Sequence, residues 1–246
     1  MAEIKAYARP RQLYRYRSLV GKDPNKFRQE LNAIIEAHVY CPSYDSMNDP
    51  MEGSHRESAL LKESTKYDQT IQAVRDAIDT FGIASFSETM DHEPMWAHYA
   101  DHFKGICIEY NVKRLLDHLD DEYEFVRMTY NERAPMLYRN SESAENRAKM
   151  ILSCKSVRWA SEREWRLIGP ETGPARYEDA RIVTSVFLGS RVSRGHERAI
   201  REELEPLRIP VRKMKVDTYS VAFEDAKKLT ARKTPVKKVA KAKPGQ

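Results

Sequence analysis

Residues 82–111 gather more chemically capable side chains than any other stretch of this chain. Two short β-like runs, 83–87 and 106–110, bracket Trp96, His98, Tyr99, Asp101 and His102. Aromatic faces and titratable groups at strand ends are what a pocket for a flat polar ligand needs. After Glu93-Pro94 the segment reads as a short helix, with Trp96 and Tyr99 on one face and His98 and His102 on another. The aromatic pair can stack on a ring or pack in a core. The two histidines have a chelating spacing, but no HExxH motif or cysteine accompanies them, so no metal is expected.

Three further groups could share that site. In residues 13–17 the alternation sends Tyr14 and Tyr16 to one face and Arg15 and Arg17 to the other. An open arginine face suits an anion, because a guanidinium fork donates two hydrogen bonds at once; a solvated one is ordinary surface charge. Ser85 and Ser87 alternate on a middle strand, and Glu162 and Glu164 on the entry to a late one. The loop 44–52 carries Asn48 and Asp49 ahead of Pro50, a turn that caps its own backbone and can supply a pocket rim or lid.

The elements that must position these groups follow from periodicity. Residues 13–17 predict a first strand, and Asp23-Pro24 an N-cap and first helical turn before apolar Phe27, Leu31, Ile34 and Ile35, with the helix reaching about residue 37. A strand at 39–41 and a loop at 42–53 precede one long polar helix, 55–80, stopped by Gly82. Beyond the central stretch come a helix at 112–119, a strand at 123–130, and a helix capped by Ser141 running to about 157. A strand at 164–168, a β-branched buried strand at 182–188, a helix at 194–207 and strands at 211–216 and 219–223 follow. This order has no regular βαβ repeat and no glycine-rich phosphate loop. It predicts an α+β fold, mostly antiparallel strands in one or two small sheets with flanking helices.

Composition narrows the class. At 246 residues with 41% hydrophobic content, the chain can build one globular domain, 1–225. It lacks a membrane-length apolar run and an apolar leader, and its three scattered cysteines form no framework, which together predict the cytoplasm. The net charge of +5 belongs to the end of the chain: eight of 42 basic residues fall in 226–246 with no acid, leaving 34 against 37 acidic residues elsewhere. That Lys-rich stretch reads as a disordered basic tail, either solvated or in weak, salt-dependent contact with polyanions such as nucleic acid.

The segments LYRYRS at 13–18, NDPME at 48–52, SFSET at 85–89, MWAHYAD at 95–101, KGICIEYN at 104–111 and WASEREWRLI at 159–168 resemble the bacterial family of domain of unknown function 2971. The resemblance implies a cytoplasmic bacterial protein and no particular activity. The order Arg15, Ser85-x-Ser87, Glu162-x-Glu164 also resembles the signature of mono-ADP-ribosyltransferases. That second resemblance implies an ADP-ribosyltransferase-like fold with NAD as substrate. Arg15 would hold the diphosphate, with Tyr14 and Arg17 beside it, and Ser85 and Ser87 the ribose region. Trp96 or Tyr99 would stack on a ring, Glu164 would act as the catalytic carboxylate, and Glu162 would orient the acceptor. Phe86 between the serines, and the long helix before them, depart from that family. The competing expectation is a non-catalytic module that binds a nucleotide or a protein through the same aromatic-lined cleft.

Overall fold

The computed structural model describes residues 9–224 and, before them, the backbone of a short strand, β1 (Glu3–Ile4). The expected basic tail, 226–246, lies outside the described residues.

Among the described residues one nine-stranded sheet organises the chain, in the order β1-β7-β11-β5-β2-β6-β13-β14-β15. Its members are β2 (Gln12–Arg17), β5 (Gly82–Ser87), β6 (Ile106–Asn111), β7 (Glu124–Arg127), β11 (Glu164–Gly169), β13 (Val183–Leu188), β14 (Val211–Asp217) and β15 (Ser220–Phe223). Most neighbours are antiparallel; β1 with β7 and β13 with β14 are parallel. Small two-stranded pairs flank the sheet: β3 (His38–Cys41) with β12 (Gly173–Arg176), β4 (Arg56–Glu57) with β9 (Met136–Leu137), and β8 (Thr129–Asn131) with β10 (Cys154–Ser156). The fold is α+β with a mostly antiparallel main sheet, larger than the small sheets expected.

Helices cover both sheet faces, so the strands bury side chains on each side. On one face α1 (Lys26–Ile35), α5 (Val112–His118) and α7 (Arg194–Leu204) pack through Leu31, Ile34, Leu115, Ile200 and Leu204 onto Leu13, Phe86, Ile108 and Trp165. The other face carries two separate apolar clusters. Ile71, Val74 and Ile78 of α3 (Tyr67–Thr80) and Ile151 of α6 (Ala144–Leu152) cover Ile83 and Ile168. Met95 and Trp96 of α4 (Glu93–Tyr99) cover Tyr16, Cys107 and Phe187.

Several boundaries differ from the sequence reading. The single helix expected over 55–80 is three elements, β4, α2 (Ala59–Lys62) and α3. Ser58 caps α2 by accepting from Leu61 N, and Ser64 accepts from Lys66 N, so hydroxyls compete with helical hydrogen bonding at both breaks. Gly82 does not stop a helix; it begins β5, where an added Cβ would stand 2.2 Å from the Glu171 carbonyl oxygen. The first helix starts at Lys26, because Asp23 instead bonds Asn25 N and the Gln29 amide. Ser143, not Ser141, caps α6, which ends at Leu152 so that β10 can pair with β8. The expected strand 123–130 is divided between β7 and β8, and β12 was not foreseen.

Candidate functional site

Strand register places the candidate side chains. Glu164 is paired with Ser87, and Ser87 with Tyr14, so all three share one sheet face, as do Arg166 and its partner Ser85. Arg15 and Arg17 alternate to the opposite face. Strands β2 and β5 are joined only at Tyr14 and Ser87; beyond that pair they diverge. The fork between them opens into a cavity of about 190 Å³, bordered by Tyr14, Arg15, Arg17, Ser85, Tyr99, Glu162 and Glu164.

At its wall lies a buried ion network between the two apolar clusters. The Ser85 hydroxyl donates to Glu164 Oε1 at 2.6 Å, and Arg166 Nε donates to the same oxygen at 2.8 Å. Arg166 also forks onto Glu52, at 2.9 and 2.6 Å, and reaches the Leu152 carbonyl at 2.7 Å. Lys155 Nζ stands 2.8 Å from Glu162 and 3.0 Å from Glu164, with the Trp159 ring beneath it at 4.8 Å. Tyr99 donates to the other Glu162 oxygen at 2.7 Å and accepts from Asn48 at 2.9 Å. The Tyr130 hydroxyl accepts the Glu164 backbone N–H at 2.7 Å.

Local structure explains the convergence. Pairing of β10 with β8 sets Lys155 opposite Tyr130. Arg163 adopts φ 46°, the left-handed region, between the 3-10 turn Val157–Glu162 and β11. A non-glycine residue seldom accepts that conformation. Here it lets Glu162 close the turn and Glu164 open the strand with both carboxylates on Lys155. Three carboxylates, Glu52, Glu162 and Glu164, meet two cations, a formal charge of −1. Burial works to raise the Glu164 pKa, but the charges of Arg166 and Lys155 and their hydrogen bonds outweigh it and hold the carboxyl at about 2. Burial likewise disfavours the Lys155 ammonium, yet Glu164 and Glu162 push its pKa up.

The remaining candidates fall elsewhere. Ser87 is buried and donates to the Glu162 backbone carbonyl at 2.7 Å, fixing the end of β5 against the turn. Trp96 is fully buried among Tyr16, Phe103 and Phe223, its Nε1 donating to the Met90 carbonyl, so its rings face core rather than cavity. Tyr99 does border the cavity. Arg15 reaches the Tyr40 carbonyl at 2.7 Å and lies 5.8 Å from the Phe86 ring centre, while Arg17 forks onto Glu30. His98 and His102 are exposed. Among the described residues no cluster of three or more His, Cys, Asp or Glu could hold a metal.

Lys155, Arg166 and Glu52 are the site residues that sequence reasoning missed. Glu52 and Arg166 sit inside quoted motifs, NDPME and WRLI, and a charged residue amid a strand of Trp, Leu and Ile was the available signal. Lys155 gave none.

The class that fold and site define is an α+β protein with a split sheet and a buried carboxylate–cation network at the split. Residues 95–167 match the family model described as Protein of unknown function (DUF2971), a span reaching from α4 into β11 and containing Tyr99, Lys155, Glu162, Glu164 and Arg166. The family resemblance read from the sequence is supported over that span. No curated protein and no solved structure matches the chain. Among the described residues no helix is long and apolar enough to cross a membrane.

Proposed function

We propose that the protein transfers ADP-ribosyl groups from NAD, with Glu164 as the carboxylate at the nicotinamide ribose. The observation that carries this reading is the 2.6 Å contact of Ser85 with Glu164 at a cavity that Arg15 also borders. In the reaction the ribose C1′–nitrogen bond breaks and nicotinamide leaves neutral, with the bonding electrons. Positive charge develops at the ribose, an acceptor nucleophile bonds to C1′, and that nucleophile's proton passes to Glu162 or water. A carboxylate held ionised beside C1′ stabilises such a centre, and the network's formal charge of −1 favours the cationic ring. Tyr99 offers a ring face at the same cavity, and Arg15 a guanidinium for the diphosphate, reached through the fork from the far side of β2.

The test is incubation with labelled NAD and a cell lysate, with Glu164→Gln alongside and thermal melting to verify folding. Label with the native chain and none with the variant is expected. Equal label in both, or in neither, removes the reading.

One observation favours a second reading, a non-catalytic nucleotide-binding module. Each Glu164 oxygen already accepts from Ser85, Arg166 or Lys155, which suits a fixed wall better than a reacting group. Thermal stabilisation by NAD without release of nicotinamide would select it. We also place the protein in a reducing cytoplasm, on its three free cysteines, Cys41, Cys107 and Cys154.

A further inference from the structure

A second cavity, of about 500 Å³, lies on the other side of β2, among β2, β3, α1 and β6. Arg15, Arg17, Lys26 and His38 line it, with Glu30 as the single carboxylate and Tyr40 at its rim. We infer that this cavity binds a phosphate-bearing ligand, either a diphosphate or a phosphomonoester, with Arg15 as its anchor.

The argument begins with charge. Arg17 and Lys26 both pair with Glu30, which leaves Arg15 without a carboxylate among the described residues. Yet Arg15 is 6% exposed and, among the described residues, its side chain makes one hydrogen bond, to a carbonyl. A buried guanidinium is costly unless an anion compensates it, and here the neighbouring Arg17 adds repulsion. Three cations to one carboxylate give the cavity a formal charge of +2, the complement of a doubly charged phosphate group. Burial, and after it the charge of Arg17, shift the Arg15 equilibrium away from the charged form. An arriving anion offsets both by placing an opposite charge beside the guanidinium.

His38 adds a second, independent sign. Its Nδ1 is buried with no hydrogen-bond partner, and the nearest carboxylate, Glu36, is 4.0 Å away. Burial holds the His38 pKa down; the Glu36 carboxylate opposes it, while Arg176 of β12, opposite His38 in register, and Arg15 add positive charge from two elements. Arg15 borders both cavities and is shared with the transferase reading, but none of Ser85, Glu162 and Glu164 lines this one, so phosphate binding here does not require turnover of NAD.

Titration calorimetry of the full-length protein with inorganic pyrophosphate, ADP and adenosine tests it. Pyrophosphate and ADP should bind and adenosine should not; ADP tighter than pyrophosphate assigns the phosphate to a nucleotide, and equal affinities assign it to a free phosphate. Arg15→Gln should weaken pyrophosphate about tenfold or more, as loss of a charge-assisted fork does. Because Arg15 also packs on the buried Phe86 ring, Lys26→Met and His38→Gln provide a second reading that leaves that contact intact, each expected to weaken binding about threefold. No pyrophosphate binding by the native chain would overturn the inference. So would affinity unchanged in all three variants, which would locate binding on the Lys-rich tail. Binding of pyrophosphate with no turnover of NAD would leave this site standing and remove the transferase reading alone.

Discussion

Glu52 and Arg166 lie 114 positions apart and meet in the interior through two parallel hydrogen bonds of 2.6 and 2.9 Å. Neither is exposed, and each is bound also to the rest of the network: Arg166 to Glu164, Glu52 to the field of Lys155. The loop that carries Glu52 is thereby tied to β11. Asp49 in the same loop accepts from Met51 N, and Tyr44 donates to the Glu52 carbonyl, so the loop is pinned from both ends.

Removing the two partners of that pair should not cost the same. Arg166→Met leaves three buried carboxylates facing Lys155 alone, a formal charge of −2, and should destabilise the fold by about 3–5 kcal/mol. Glu52→Gln leaves two carboxylates with two cations and keeps an acceptor near Arg166, so its cost should be less than half of that. Urea unfolding of both variants is the measurement. An equal loss for the two would mean that charge balance does not govern the network.

Acid should uncouple Glu164. Its folded pKa, about 2, lies below the ordinary 4.5, so the stabilisation it brings is complete above the unfolded value and is lost as pH falls from about 4.5 toward 2. The shift corresponds to about 3 kcal/mol. Unfolding free energies measured between about pH 6 and pH 2.5 should fall steeply for the native chain and less steeply for Glu164→Gln. Lys155→Met, which withdraws one of the cations, should move the loss to higher pH. Parallel slopes in all three proteins would contradict the assignment.

Trp96 and Tyr99 occupy one short helix but should respond differently. Trp96 sits edge-on to Tyr16 with ring centres 5.3 Å apart and no exposed surface. Its replacement by alanine should cost about 3–5 kcal/mol through the hole it leaves. Tyr99→Phe keeps the ring and deletes the hydrogen bond to Glu162, at a cost of about 1 kcal/mol. Any ligand affinity for the β2–β5 cavity should change more in Tyr99→Phe than its stability does. Calorimetric melting beside nucleotide titration separates the two.

Gly82→Ala should damage the fold although its backbone needs no unusual φ. The new methyl would meet the Glu171 carbonyl oxygen at 2.2 Å, with the Cys41 side chain also in the way. Backbone atoms cannot yield as a flexible side-chain end can, so a loss of about 2–3 kcal/mol is expected. Denaturant midpoints for Gly82→Ala and for Gly195→Ala, where the added atom meets nothing within 4 Å, give the comparison.

Much of the fold was legible along the chain. The strands at 13–17, 83–87, 106–110, 164–168 and 182–188 carry alternation or β-branched runs, and each is a member of the main sheet. The short helix after Glu93-Pro94 and the helix capped by Asn111 formed where proline and side-chain capping favour them. Polar segments read less well. In 55–66 serine caps and turns outweighed a weak helical stripe, and β10 and β12 exist only because β8 and β3 offer them hydrogen bonds. A three- or four-residue strand has too little pattern of its own to announce its partner.

For the site, residue types were set by the sequence: serines at alternate strand positions, glutamates two apart, arginines alternating with tyrosines. Periodicity alone decided that Ser85 and Ser87 share a face and that Arg15 and Arg17 share another, because side chains alternate along any strand. Which face of β2 adjoins which face of β5, and that the two strands part after a single pair, came only from the order of strands in the sheet. The gathering of Lys155, Arg166 and Glu52 around Glu164 is likewise tertiary: burying two cations and three carboxylates is tolerable only where distant segments bring opposite charges within hydrogen-bond reach, and no local pattern encodes that distance.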